Sequence, residues 1–320
     1  MRNYRFARLG AAVVFGLSTV TTAVAAPIYS EDFNVDNSAN WTVNDPGLSD
    51  ITNDFFYDYS AIGVPAAPNG SGTRGLKMTA NNSGGVFSGY SVSPNGQSFS
   101  GNYRVEFDMW QNYVGPLGPG GNGTTQLSVF GIGTAGNVAA WPGAAVKESV
   151  FFAATLDGGS ASDYRAYSSA APTSYPSGSA VYQAPGGAIN DSNAYYVSAF
   201  PANSAPAAQL GLFPGQTGST NAGEISFTWR RVMIDVSGGL ATWTVDGVAM
   251  AIVDLSTVSL GGGNILFGHS DTNAGSSTDP NDFLLNVTLI DNVAVFVPEP
   301  TGMLAGSIVA AGLIARRRRA

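Results

Sequence analysis

The stretch that most constrains the fold runs from Glu224 to Leu255 and reads EISFTWRRVMIDVSGGLATWTVDGVAMAIVDL. Apolar and polar residues alternate along most of it, which is typical of strands with one buried face. Asp246-Gly247 is a strong signal for a two-residue hairpin turn, and Ser237-Gly238-Gly239 marks a second turn. The alternation changes phase near Arg230-Arg231, which predicts a β-bulge there. The segment therefore predicts a meander of antiparallel strands.

Other segments repeat this pattern. In YRVEFDMW, Tyr103–Trp110, the residues of one parity are apolar and those of the other parity are mostly charged. NILFGH and FLLNVTLIDNVAVFV predict the last strands, with Phe283, Leu285, Val287 and Leu289 on one face and Val293, Val295 and Val297 in phase with them. With 41 glycines and 17 prolines, few windows favour a helix. The composition predicts an all-β protein.

Two intervening regions are too long for simple hairpin loops. They are Gly-rich 114–143 and the Ala/Ser/Pro/Tyr-rich region 158–223. Either short edge strands, such as VFFAATL (150–156) and DYRAYS (163–168), lie in or beside them, or they form ordered binding loops.

Charge is partitioned along the chain. Seven of the 14 basic residues lie in the two end segments, whereas 21 of the 22 acidic residues lie between those segments, so the body carries a formal charge of −14. Such a surface repels phosphate backbones, which excludes nucleic acid as a partner. It suits neutral sugars, cations or cationic partners.

Cysteine is absent and histidine occurs once. Disulfide scaffolds and thiolate metal sites are therefore excluded, and histidine-dependent zinc sites fail on ligand count. His269 stands in GHSD, but contiguous residues do not converge as a Ser-His-Asp triad. We expect His269 to lie at the end of a strand.

The N-terminal segment has the three parts of a secretory signal peptide. Three arginines precede an apolar run, and Ala23-Val24-Ala25 supplies the small residues of a cleavage site. Cutting one residue later would place Pro27 directly after the scissile bond, so we predict cleavage after Ala25 and a signal peptide over 1–25. The alternative is an uncleaved membrane anchor.

The C-terminal segment, 297–320, reads VPEPTGMLAGSIVAAGLIARRRRA. Its apolar stretch, Thr301–Ala315, has 15 residues, which is short for a membrane span of about 20 unless the flanking residues extend it. The arginine cluster predicts a cytoplasmic C-terminus and places the body, 26–296, outside the inner membrane.

This ending resembles the PEP-CTERM sorting signal of Gram-negative bacteria. The parts that match are Val297-Pro298-Glu299-Pro300, the apolar stretch, and Arg316, Arg317, Arg318 and Arg319. The resemblance implies processing by an exosortase, a membrane enzyme similar to a transpeptidase, and export to the cell surface in bacteria that make exopolysaccharide. The protein would then be anchored in the inner membrane only transiently. A plain C-terminal tail anchor is the alternative.

The body resembles concanavalin/laminin-G-like jelly rolls, which are antiparallel β-sandwiches. The resemblance rests on SEDFN (30–34), VEFDMWQN (105–112), FTWRRVMIDVSGGLATWTVDG (227–247) and LIDNVAVF (289–296). It implies that the first and last strands pair, which would bring Asp32 close to Asp291. The resulting fold class is an all-β sandwich flanked by a signal peptide and a short transmembrane helix.

One family within that fold cleaves polysaccharides with a strand of the form E-x-D-x-x-E. Glu106, Asp108 and Gln111 nearly reproduce it. Glycoside hydrolysis needs two carboxyl groups, one of them a proton donor, and Gln111 cannot donate that proton. We therefore expect no catalysis.

The polar face of the same strand is the candidate carbohydrate site. Trp110 beside Arg104, Glu106 and Asp108 combines an aromatic ring for stacking with groups that hydrogen-bond to hydroxyls. The alternative is an ordinary outward face with cross-strand charge pairs.

Two places suggest structural Ca²⁺. HSDTNAGSSTDPND gathers Asp271, Asn273, Asp279 and Asp282 at short spacing, and Asp32 with Asp291 forms a second candidate where the terminal strands meet. Asx-rich turns are the alternative for the loop.

The sequence as a whole predicts an exported, surface-sorted, non-catalytic β-sandwich that binds polysaccharide or contributes to an exopolysaccharide matrix. Its predicted partners are the exosortase, polysaccharide and the inner membrane. A structural or adhesive matrix protein without specific glycan binding, and a glycoside hydrolase, are the alternatives.

Overall fold

The computed structural model describes residues 26–47, 50–81, 87–115, 125–145, 147–157, 159–272 and 279–297. The predicted signal peptide and the sorting segment beyond Val297 lie outside these ranges, and so does Asn273. Within them, no helix combines the length and the apolarity that crossing a membrane requires.

The described ranges contain fourteen strands and three short α-helices. The strands are β1 (Tyr29–Glu31), β2 (Trp41–Asn44), β3 (Ile51–Asp58), β4 (Arg74–Ala80), β5 (Ser88–Pro94), β6 (Tyr103–Asn112), β7 (Gln126–Thr134), β8 (Val150–Thr155), β9 (Tyr164–Tyr167), β10 (Arg230–Ser237), β11 (Leu240–Val245), β12 (Val248–Asp254), β13 (Asn264–Asp271) and β14 (Val287–Phe296). The helices are α1 (Ala194–Val197), α2 (Ala207–Leu212) and α3 (Asp282–Leu285).

These strands form two antiparallel sheets. The eight-stranded sheet has the order β12-β11-β10-β6-β14-β4-β3, with β1 paired to β14, and the six-stranded sheet has the order β2-β5-β13-β7-β8-β9. The predicted pairing of the first and last strands is confirmed, since Ser30 lies opposite Ala294. The described chain is thus a β-sandwich of the jelly-roll type, as predicted.

The main core lies between the two sheets. Phe107 of β6 contacts Phe130 of β7 and Phe267 of β13, with ring centroids 5.3 and 5.0 Å apart, and Trp243 of β11 lies 5.4 Å from Phe130. All four side chains are buried. Because aromatic rings bury large apolar areas, this cluster is the main contribution to holding the sheets face to face.

A second apolar cluster covers one end of the outer face of the eight-stranded sheet. We call it the outer cluster; it contains Tyr59, Ile62, Val64, Trp110, Tyr113, Val114, Leu156, Ala205, Phe227, Leu285, Val287 and Leu289. The segment before α2 and the segment after it fold over this face. Gln209 of α2 fixes them there, because its Nε2 donates to the carbonyl of Ile62 and to Asn112 Oδ1, at 2.9 and 3.0 Å.

Several predicted features are confirmed. Tyr103, Val105, Phe107 and Met109 of β6 face the main core, as the alternation indicates. Asp246 and Gly247 form the turn between β11 and β12, both with positive φ, 49° and 81°, which is the geometry of a type I′ hairpin.

The phase change before β10 does not arise from a bulge at Arg230-Arg231. Residues 225–229 lie outside the strand, β10 begins at Arg230, and its register with β6 runs without interruption from Arg230 to Val236. Phe227 instead adopts a φ of 58°, so a turn of the chain, and not an extra residue in the strand, reverses the side-chain direction.

The last strand is also shorter than predicted. Phe283 and Leu285 belong to helix α3 and not to a strand. The register of β14 against β6 shifts between Asp291 and Ala294, at Asn292 with a φ of 50°. This bulge changes the phase, so that Val287 and Leu289 face the outer cluster while Val293 and Val295 face the main core.

The region 114–143 contains a central strand, β7, and not only edge strands or loops. VFFAATL forms β8, which lies inside the six-stranded sheet, whereas DYRAYS forms the edge strand β9. β7 and β8 are buried on both faces, because loops and an outer layer of side chains cover this sheet as well.

Candidate functional site

The polar side of β6 lies at the middle of the outer face of the eight-stranded sheet, between β10 and β14. Successive side chains of a strand point to opposite faces, so Arg104, Glu106, Asp108 and Trp110 share the face opposite the main core. The structure brings these four predicted residues together. It also adds neighbours from distant segments.

A row of ion pairs crosses this face. Glu106 Oε1 lies 2.6 Å from Arg104 Nε, and Glu106 Oε2 lies 2.7 Å from Arg231 Nη2. The side chain of Glu106 is 18% exposed, so the row is accessible to solvent at its edge. Arg231 is on β10, where Met233 and not Arg231 lies directly opposite Glu106, so the pair is diagonal. This part agrees with the alternative of cross-strand charge pairs.

Asp108 is fully buried and fully hydrogen-bonded. Asn69 donates to it twice, from Nδ2 at 2.7 Å and from its backbone N at 3.2 Å. Asn292 Nδ2 donates at 2.8 Å and Arg231 Nη1 at 3.3 Å. These four donors, one of which belongs to a guanidinium, satisfy both oxygens of the Asp108 side chain. Asp108 thus joins three segments of the chain.

Asp291 lies directly opposite Asp108 on β14, on the same face. Tyr59 Oη donates to Asp291 Oδ2 at 3.0 Å, and the backbone N of Asn292 donates to Oδ1 at 2.7 Å. Burial, with a further contribution from the charge of Asp108, raises the pKa of Asp291 to about 7. Two neighbouring carboxyl groups therefore have unlike surroundings, one rich in donors and one poor in them.

An open groove of about 430 Å³ runs along the outer cluster next to these groups. It is lined by Pro65, Ala66, Pro68, Trp110, Ser204, Pro206, Phe227, Thr228 and Trp229. The Trp229 ring is partly exposed in the groove, and its Nε1 donates to the carbonyl of Pro65 at 2.7 Å.

Trp110 occupies a different place from the one predicted. It is only 1% exposed and packs edge-on against Trp229, with ring centroids 5.8 Å apart at 60°. Its ring face is therefore covered, and Trp229 supplies the accessible aromatic surface. Sequence reasoning missed Trp229 because it treated the segment before Arg230 as an alternating strand, in which Trp229 shares the parity of Ile225 and Phe227.

Gln111, the third position of the E-x-D-x-x-E pattern, points away from the groove. Its Nε2 donates to Ser128 Oγ and to the carbonyl of Ala154, both at 2.9 Å, on the side of the main core. In a strand without a bulge, positions three apart face opposite sides. The position therefore takes no part in this site.

Of the first predicted calcium group, Asp271, Asp279 and Asp282 lie within the described residues. Asp271 is buried at the end of β13 and accepts from Asn81 Nδ2 at 2.7 Å and from the Thr125 backbone at 3.1 Å. Asp279 precedes helix α3 and Asp282 is its first residue. Burial raises the pKa of Asp282 to about 6. Among residues 26–297 as far as they are described, no three histidine or acidic side chains are grouped as metal ligands. Calcium at this loop stays a prediction.

The second predicted calcium pair is closer. Asp32 follows β1, which pairs with β14, and its charge contributes to the raised pKa of Asp291. Asp32 is exposed and accepts from the backbone N of Asn34 at 3.1 Å. The pairing of β1 with β14 is thus the part that the structure confirms, whereas metal binding by Asp32 and Asp291 stays a prediction.

His269 is not at a strand end. It is fully buried within β13, where Nδ1 lies 2.9 Å from Thr288 Oγ1 and Nε2 contacts Gln126 Oε1. Burial lowers its pKa to about 3. A neutral imidazole shielded in this way has a structural role.

No family model matches the chain, and no curated protein matches it. Solved structures do match. A protein of unknown function with a galectin-like fold from Bacillus subtilis is 10% identical over 85% of this chain and 96% of its own, with a TM-score of 0.39. A glycoside hydrolase family 16 endo-glucanase from Bacteroides ovatus is 15% identical over 84% and 99%, with a TM-score of 0.42. Crh5 transglycosylase in complex with NAG is 12% identical over 86% of each chain, with a TM-score of 0.42.

These matches overturn the prediction that the protein is not an enzyme. That prediction rested on Gln111 in place of a proton-donating acid, whereas the structures similar to this chain include an endo-glucanase and a transglycosylase. At identities of 10–15% the likeness describes the fold and assigns no activity, because one fold hosts many functions.

Proposed function

We propose that this protein binds a neutral polysaccharide in the groove on the outer face of the eight-stranded sheet. The observation that carries the proposal is the partly exposed Trp229 ring in an open groove of about 430 Å³, beside the ion-paired row of Arg104, Glu106 and Arg231. Sites of this volume with an apolar wall and a few fixed polar groups suit small-molecule and sugar ligands.

The division of roles follows from the surroundings of each residue. Trp229 is held by its hydrogen bond to Pro65 and by Trp110 beneath it, so stacking on a sugar ring loses little side-chain entropy. The solvent-exposed edge of Glu106 and Arg104 offers acceptors and donors to hydroxyl groups. Asp108 fixes Asn69 and Arg231 from below and is a positioning residue.

The charge of the chain supports a neutral ligand. The body carries a formal charge of −14, so phosphorylated and strongly acidic polymers are repelled. An uncharged glucan or similar polymer meets no such barrier.

A panel of immobilised neutral polysaccharides tests the proposal. We expect saturable binding, and a loss of about tenfold or more in affinity for Trp229→Ala, since exposed tryptophans at recognition sites contribute more than about 1 kcal/mol. Phe87→Ala is the matched control, because Phe87 is an exposed aromatic residue that contacts Trp141 on the six-stranded sheet. Binding that is absent, or unchanged in Trp229→Ala, contradicts the proposal and favours a structural or adhesive protein.

Glycan cleavage or transfer is a second candidate, and one observation favours it. Asp108 and Asp291 lie opposite one another on the same face, and burial raises the pKa of Asp291 to about 7. Glycoside cleavage uses two carboxyl groups, one of which holds the proton that it donates. The pair lies beneath Asn69 and Asn292, so such a reaction requires the segment that carries Asn69 to move away.

Release of reducing ends from the same panel tests this second candidate. We expect Asp291→Asn to abolish release while leaving polysaccharide binding unchanged. The protein would be a binding protein without cleavage activity on these polymers if the wild type releases none, and the release would be assigned elsewhere if Asp291→Asn retained it.

The cellular location is also a proposal. We infer export by the 1–25 segment and sorting by the 297–320 segment, with an exosortase and the inner membrane as transient partners. Both segments lie almost entirely outside the described residues, and the proposal rests on their sequence patterns. Deletion of 297–320 should release the protein from the cell surface; unchanged surface retention would contradict it.

A further inference from the structure

Four carboxyl groups gather at a place that the groove does not use. We call them the acidic cluster: Asp157, Asp163, Asp191 and Glu224. Asp157 and Asp163 lie between β8 and β9, Asp191 precedes α1, and Glu224 precedes β10. Three segments that are distant in sequence therefore contribute carboxyl groups to one region.

Backbone contacts hold these segments together. The backbone N of Asp191 donates to Asp163 Oδ2 at 3.0 Å. Gly223 lies so close to Asp191 that a Cβ on it would be 2.1 Å from the Asp191 carbonyl oxygen, and its φ is +106°. Only glycine fits this approach and this backbone conformation, so Asp191 and Glu224 are fixed as neighbours.

Two oxygens of the cluster have no partner. Asp191 Oδ2 and Glu224 Oε2 are buried and accept no hydrogen bond, and the two residues are only 7% and 6% exposed. Buried carboxylate oxygens are ordinarily hydrogen-bonded or paired with a cation. The four ion pairs found within the described ranges include no member of the cluster.

Burial raises the pKa of Asp163 and of Glu224 to about 7 and that of Asp191 to about 6. Asp191 adds to the shift of the other two through its charge. The charge of Arg165 lowers the pKa of Asp163, but this is the smallest of the effects that act on that pKa.

We infer that Asp191 and Glu224 bind a divalent cation of the calcium class, with Asp163 adjacent to the site. Carboxylate oxygens are the ligands that Ca²⁺ prefers, and backbone carbonyls and water complete its shell. No three acidic or histidine side chains of the described chain lie close enough together to hold a metal ion between them. The inferred site therefore has two carboxylate ligands and takes the rest of its oxygens from backbone and water. It is distinct from both calcium positions predicted from the sequence.

Thermal unfolding of the full chain at pH 7.5, with and without Ca²⁺, tests the inference. Because a ligand that binds only the folded state stabilises it, we expect saturating Ca²⁺ to raise Tm by about 2–4 °C or more. The rise should disappear in the double variant Asp191→Asn with Glu224→Gln, which keeps the shape and removes both charges.

Two control variants locate the effect. Asp254→Asn changes an exposed carboxylate that accepts from Ser256, and Asp282→Asn changes the loop predicted as a calcium site from sequence. Both should retain the full rise in Tm. A rise that persists in the double variant, or one that Asp282→Asn abolishes, overturns the inference, as does the absence of any rise with Ca²⁺, Mg²⁺ and Mn²⁺.

Terbium luminescence gives a second measurement that does not depend on the double variant's stability. Tyr164 donates to the carbonyl of Gly223, and the charge of Asp191 raises the pKa of Tyr164. Tyr164 therefore lies near the inferred site and should sensitise Tb³⁺ bound between Asp191 and Glu224. We expect Ca²⁺ to displace the signal and the single variant Glu224→Gln to weaken it by tenfold or more. An unchanged signal in Glu224→Gln places the ion elsewhere and contradicts the inference.

Discussion

Asp108 and Glu224 are both buried carboxylates, yet their surroundings differ completely. Asp108 receives four hydrogen bonds and faces Arg231. Glu224 accepts from Asn221 Nδ2 at 3.1 Å through one oxygen, and its other oxygen has no partner. The chain itself completes the first site and leaves the second incomplete.

The difference indicates where an outside ligand is needed. Around Asp108 the chain itself supplies the hydrogen-bond donors and a guanidinium. Asp108 therefore holds the residues beneath the groove in place and needs no outside ligand. In the acidic cluster, several carboxyl groups lie together and none of them forms an ion pair within the described part of the chain, which is unfavourable unless a proton or a cation is present. Removing charge should therefore harm the first region and relieve the second.

The largest effect is expected from Asp108→Ala. It leaves Asn69, Asn292 and Arg231 without their shared acceptor, which should lower the free energy of unfolding by about 3–5 kcal/mol. Glu106→Ala, in the same strand but with a partly exposed ion pair, should lower it by about 1 kcal/mol. Urea denaturation of both variants measures the difference. Equal losses of unfolding free energy would show that the hydrogen bonds of Asp108 contribute no more to stability than the ion pair of Glu106.

Gly223→Ala should come next. Its φ of +106° and the 2.1 Å approach of a new Cβ to the Asp191 carbonyl predict a loss of about 2–4 kcal/mol. Gly247→Ala is the control, with a φ of +81° and nothing within 4 Å of the Cβ, and should lose about 1 kcal/mol. Similar losses at both glycines would mean that the segments of the acidic cluster are not in close contact.

The smallest effect is a pH dependence measured without divalent cations. The pKa values of Asp163 and Glu224 rise from 3.8 and 4.5 to about 7, so the folded chain holds protons that the unfolded chain has lost. Stability should therefore fall as the pH rises from about 4 to 7. Glu224→Gln should remove part of this fall, on the order of 1 kcal/mol. A wild-type stability that increases over this range would contradict the assignment.

The sequence predicted a strand correctly where one face of that strand is buried and the other face is exposed. β6 and β10 to β12 have such faces, and their alternation and turn residues identified them. β7, QLSVFGIGT, was missed because it is buried on both faces and contains glycines that remove the pattern. Positive φ at Phe227 and Asn292 changed the side-chain phase where no glycine marked a turn.

The candidate site was only half accessible to sequence reasoning. Side-chain parity placed Arg104, Glu106 and Asp108 on one face, because that depends on a single strand. Asn69 and Trp229 reach the site through long-range packing of loops over the sheet, which no local pattern encodes. The acidic cluster likewise joins three segments separated by about 30 residues each, and it could be found only from the fold.

Trp229 provides the most direct measurement of polysaccharide binding in the groove. The other four tryptophans, Trp41, Trp110, Trp141 and Trp243, are at most 6% exposed, whereas Trp229 is partly exposed. In protein labelled with ¹⁵N-tryptophan, titration with an oligosaccharide of the bound polymer should produce a saturable shift of the Trp229 indole signal, with smaller changes at Trp110 and none at Trp141. Saturable binding that leaves the Trp229 signal unchanged would contradict the placement of the glycan in this groove.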